Sequence, residues 1–112
     1  MKRMSIAILA AVCLMAAVPS AQDAAQIERA KKVYTEKKCA NCHSIAGKGN
    51  KKGPLDDVGT KLSEAEIREW LSDPIGMAKK AKAERKPPMK ALNLGKEDLD
   101  AMTAYMMTLK KK

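Results

Sequence analysis

The densest reactive chemistry in the sequence lies in Cys39-Ala40-Asn41-Cys42-His43, two thiols and an imidazole within one pentapeptide. Side chains three and four residues apart share one face of a helical turn, so all three can be directed at one flat object. A redox dithiol of the thioredoxin kind would need a βαβ framework, and no stretch of this chain alternates apolar and polar residues as a strand does. A zinc site would want a fourth ligand, usually from a second pair of Cys or His, and His43 is the sole histidine. The order C-x-x-C-H instead matches haem attachment, in which the two thiols add across the vinyl groups as thioethers and the neighbouring imidazole reaches the iron.

Iron held by His43 on one side commonly takes a Met thioether on the other, a soft ligand that favours the reduced state. Beyond the first 21 residues the methionines are Met77, Met89, Met102, Met106 and Met107. The last three belong to a helical stretch whose apolar stripe explains them as core filler. Met89 follows Lys86-Pro87-Pro88, a stiff extended segment. It also lies 46 residues beyond His43, ample chain to reach the opposite face of a ring. Met89 is therefore the expected sixth ligand, with Met77 the alternative. An iron with six ligands in both oxidation states leaves no position for a substrate, which points to single-electron transfer and away from oxygen or peroxide chemistry.

Lys2 and Arg3, an apolar run from Ile6 to Val18, then Ser20 and Ala21 follow the order of a secretory signal. Cleavage after Ser20 or Ala21 would make residues 1–21 a signal peptide and 22–112 a single domain, exported to the periplasm without stable membrane insertion. The rival is an uncleaved anchor, although a spanning helix usually needs about 20 apolar residues. Cleavage also removes Cys13 and takes Lys2 and Arg3 from a formal net charge of +9. Cys39 and Cys42 then remain, too close in sequence to staple a domain as a disulfide. With no Phe, one Trp and two Tyr, so short a domain needs a cofactor at its centre. Without haem the chain is expected to be largely unfolded.

The apolar spacing marks three main helices, so the fold class is all-α. The first is expected to start at Asp23, with Gln26 completing a capping box, and to line one face with Ile27, Ala30, Val33 and Tyr34. The second opens with Ser63 and Glu66, turns Ile67, Trp70 and Leu71 inward, and stops near Asp73 because Pro74 disfavours helix before it. The third carries Glu97 and Asp98 in its first turn and a stripe of Leu99, Met102, Tyr105, Met106 and Leu109. Residues 47–60 and 86–94 read as loops, and 75–83 as a helical turn or two weakened by Gly76.

Over nearly the whole of the expected domain the sequence resembles a class I cytochrome c, in its short bacterial branch. The motif directly after a first helix, Gly53-Pro54-Leu55, a middle helix, a Met in a loop and a last helix fall in that family's order. The resemblance implies a class I cytochrome c fold, three main helices plus loops wrapped around one covalently bound haem c. It implies that Ala30, Tyr34 and Tyr105 meet where the terminal helices cross. It further implies that the Pro54 carbonyl accepts from the free ring nitrogen of His43, and that Trp70 lies beside a haem propionate. Lys-Pro-Pro-Met-Lys departs from the mitochondrial type.

Lys48, Lys51, Lys52, Lys79, Lys80, Lys82, Lys86 and Lys90 crowd the segments expected around the haem edge. Such a patch steers encounters with acidic redox proteins, whether dehydrogenases, reductases or terminal oxidases. Export excludes nucleic acid, and a monomer is expected. The leading expectation is a periplasmic electron carrier and not an enzyme. Two others stand beside it: a haem-based sensor or peroxidase-like protein with a labile sixth ligand, and a fixed cytochrome subunit of a larger oxidoreductase complex.

Overall fold

The computed structural model describes residues 21–111. The leader expected over 1–21 lies outside them except for Ala21, the first residue of α1 (Ala21–Glu36). That helix begins two residues ahead of the expected start, so Asp23 sits within its first turn, where a carboxylate suits the helix dipole. A 3-10 turn (Cys39–Asn41) follows, then a hairpin of β1 (Ser44–Ile45) and β2 (Lys48–Gly49), α2 (Val58–Lys61), α3 (Glu64–Ser72), α4 (Pro74–Ala81) and α5 (Lys96–Thr108).

The frame is α5 laid against both α1 and α3. Its core joins Ala30 and Val33 of α1, Ile67 and Leu71 of α3, and Ala101, Met102 and Met106 of α5. Ala30 and Ala101 are both fully buried, and small side chains at such positions let helix backbones approach closely. Tyr34 and Tyr105 pack against this cluster, in keeping with the expected crossing. Polar pairs pin the same helices at their rims. Arg29 reaches Asp98 at 2.7 Å and Arg68 reaches Asp100 at 2.7 Å.

The capping box at Ser63 and Glu66 is formed in both directions, and α3 ends at Ser72 as Pro74 requires. Pro74 also opens the next helix. It occupies the first turn of α4, and the Asp73 carboxylate accepts from the Gly76 amide at 3.1 Å. Proline is favoured there because its missing N–H has no helical partner to lose. The weak turn expected over 75–83 is thus a capped helix. Ile67 and Leu71 are buried in the central cluster, whereas Trp70 stays half-buried.

Two further elements go beyond the pattern of apolar spacing. The single turn α2 overlaps the end of residues 47–60, expected as loop, and there the Gly59 amide donates to the Leu109 carbonyl at 2.7 Å. A Cβ at Gly59 would lie 2.6 Å from the Met107 carbonyl oxygen, so only glycine admits this approach. The hairpin turns through Ala46 and Gly47, both at positive φ, the geometry that matches the twist of two antiparallel strands.

Candidate haem-binding site

The pentapeptide begins where α1 gives out. Lys38 takes a left-handed conformation, with φ 56° and ψ 41°, and turns the chain into the 3-10 turn at Cys39. Within that turn the amides of Cys42 and His43 both donate to the Cys39 carbonyl, at 3.1 and 2.9 Å. Both thiols are free and half-buried, and His43 is half-buried beside them.

Every carbonyl of the motif has a donor. The Asn50 amide serves those of Ala40 and His43 at 3.0 and 2.9 Å, while the Asn50 side chain donates to Asn41 at 3.1 Å. The remaining one, that of Cys42, accepts from the guanidinium of Arg85, 43 residues on. Neither Asn50 nor Arg85 stands out in the sequence. Asn50 reads as one more loop residue and Arg85 as one more surface cation, because nothing local announces a distant carbonyl.

The imidazole is locked through Nδ1, which lies 3.0 Å from a backbone carbonyl. A carbonyl can only accept, so Nδ1 carries the proton and Nε2 keeps its lone pair for a metal. The carbonyl is that of Gly53, however, and not of Pro54 as expected. The reason is the register of the bridge between Ser44 and Pro54. The Ser44 amide donates to Gly53 at 3.1 Å and the Leu55 amide to Ser44 at 2.8 Å. That pairing aims the Gly53 oxygen at the His43 ring and leaves exposed Pro54 to stiffen the segment that carries it.

Burial lowers the His43 pKa, its bond to Gly53 works against this, and the nearby Arg85 cation adds to the lowering. The ring is therefore neutral at physiological pH, the form that binds a metal. Burial raises the Cys39 pKa, and the adjacent Cys42 adds to that, which keeps the sulfur a thiol. The Tyr34 hydroxyl is buried without a hydrogen-bond partner, although buried hydroxyls are ordinarily satisfied.

The sequence model of the cytochrome c family matches residues 27–110. The chain belongs to the cytochrome c family. No curated protein and no solved structure matches it. The family carries haem c through two thioethers, and the residues of this cytochrome fit that group. Cys39 and Cys42 are free on one turn, Nε2 of His43 is available, and the core holds no Phe or Trp in its buried cluster. Haem held in this way supplies an iron that gains and loses one electron, the general role of the family.

The two candidate sixth ligands differ in setting. Met77 is buried within α4, only 7 % exposed. Met89 is half-buried in the non-helical stretch between α4 and α5. Arg85, four residues before Met89, is fastened to the motif at Cys42. Four residues of chain span at most about 14 Å, so Met89 shares a short segment with the residue that touches the motif.

Proposed function

We propose that this cytochrome is an exported, periplasmic carrier of single electrons, with its iron held between His43 and Met89 and with acidic redox proteins as partners. The observation that carries the reading is the state of His43, its Nδ1 committed to Gly53 and its Nε2 free beside two unpaired thiols. Such a ring is oriented before any iron arrives, which keeps rearrangement on electron transfer small. Met89 is favoured over Met77 because its segment is non-helical and tethered to the motif at Arg85, whereas Met77 is a buried residue within helix α4. Met89→Ala is expected to abolish the weak near-infrared band of thioether-ligated ferric haem, and Met77→Ala to keep it. The reverse pattern would reassign the ligand. The half-buried Trp70 remains a candidate for the propionate side.

Export rests on the character of residues 1–21. Among the described residues no helix is long and apolar enough to cross a membrane. The docking face is supported by the way Arg85 lies over Gly53, which draws segment 82–90 against segment 48–53. Lys48, Lys51, Lys52, Lys82, Lys86 and Lys90 are all exposed there. Lys80 departs from the expected patch by pairing with Glu69 at 2.5 Å. Beside them Ile75 is 55 % exposed and shares an apolar cleft with Ala78, Ala83 and Pro88, rimmed by Lys79, Lys82 and Glu84. Surrounding lysines that outnumber Glu84 around a small apolar centre suit brief encounters with an acidic protein. Raising the ionic strength should slow reduction by such a partner; a rate indifferent to salt would remove this part of the reading.

A further inference from the structure

The donors that hold the pentapeptide differ in kind. Those from Asn50 are neutral and come from the loop directly after the hairpin. The one from Arg85 is charged and comes from the segment that leads to Met89. A guanidinium is charged at every working pH and donates in a rigid planar fork. Here it touches two backbone units at once. It donates to Cys42, and it lies so close over Gly53 that a Cβ there would overlap its Nη1 and come within 2.9 Å of its Cζ. The same imagined Cβ would also overlap the Cys42 oxygen. Gly53 is thus the flat floor on which Arg85 reaches its acceptor, and it is the residue whose carbonyl orients His43.

We propose that Arg85 is a positioning residue for the haem centre: it clamps Cys42 to Gly53, so fixing the orientation of His43, and holds a permanent positive charge beside that ligand. The inference rests on the reading of Cys39, Cys42 and His43 as the haem-binding set. A fixed cation next to a centre that loses positive charge on reduction favours the reduced form, so Arg85 raises the reduction potential. The clamp also ties the segment that leads to Met89 to the pentapeptide.

The test is a redox titration of the purified holoprotein, followed by its absorbance. Arg85→Gln is expected to shift the oxidised-to-reduced ratio about threefold toward oxidised at a fixed poise, or about 28 mV at 59 mV per decade. Lys32→Gln, which removes the same charge from an exposed position on α1, is expected to move it far less. Arg85→Lys keeps the charge without the fork and should fall between wild type and Arg85→Gln. A potential unchanged in Arg85→Gln, an equal shift in Lys32→Gln, or a lysine variant as low as the glutamine one would each overturn the proposal. Should Arg85→Gln fail to mature, the comparison of Arg85→Lys with wild type and Lys32→Gln decides the question in its place, an unshifted lysine variant overturning the clamp. A wild-type chain that holds no haem would overturn this proposal together with the reading beneath it. A haem-bearing wild type with an indifferent Arg85 would overturn this proposal alone.

Discussion

The helical frame and the haem-binding turn are held by different forces. The frame of α1, α3 and α5 rests on buried aliphatic and thioether side chains, Ala30, Val33, Ile67, Leu71, Met102 and Met106, whose attraction is non-directional and proportional to area. The turn at 39–43 buries little and is instead held carbonyl by carbonyl, through Asn50, Arg85 and Gly53. Hydrogen bonds stabilise modestly in net terms but fix direction sharply. Packing therefore decides whether the chain folds, and the polar clamps decide where His43 points. Damage to one region should be separable from damage to the other.

The bond between them is the cofactor, and its removal gives the largest effect. A Cys39→Ala, Cys42→Ala double variant should carry no covalent haem and lose most of its helical circular dichroism, because a frame without Phe or a buried Trp is short of bulk. Native-like helicity in that variant would show that the frame stands alone. Next comes Met102→Ala, at a position 2 % exposed, which should cost about 3 kcal/mol in denaturant unfolding while leaving the potential of the folded protein close to wild type.

Asn50→Ala should do the opposite. Losing the donor to Asn41 and the acceptor for the Lys52 amide should cost only about 1 to 2 kcal/mol, yet disturb the absorbance and potential of the haem. A variant silent in both would undo the division drawn between frame and turn. The smallest effect belongs to the frame's surface. The Ser63 amide and hydroxyl hold the Glu66 carboxyl below the ordinary carboxylate range. A folded pKa lower than the unfolded one means stability that is present above the ordinary range and lost as pH falls through the lowered value. The stability gap between wild type and Glu66→Gln should thus be widest near neutrality and close in acid. A gap that widened in acid would contradict the capping geometry.

The frame is legible in the sequence because its causes are local. Apolar residues at helical spacing, the Ser63 and Glu66 box and the stop before Pro74 all act within a few residues. The C-x-x-C-H motif is legible for the same reason, its chemistry being written into five consecutive residues. What escapes a reading of the sequence depends on partners far along the chain. The one-turn α2 exists because the end of α5 docks on it at Gly59, some 50 residues away in sequence. Ala46 at positive φ defies the preference of its type, and a hairpin overrides it. The displacement of the His43 acceptor from Pro54 to Gly53 depends on a bridge register that spacing does not reveal. Pro74 marks the end of one helix in the sequence and also starts the next in the structure, since both roles follow from the same missing N–H.

The central claim is that Cys39 and Cys42 tether one haem whose iron His43 binds. Intact mass spectrometry of the protein purified from an exporting host tests it most directly, with the same sample's visible spectrum. The account predicts a mass equal to the processed polypeptide plus one haem that survives denaturation, in a coloured sample. A mass equal to the polypeptide alone, with no haem absorbance, would contradict it.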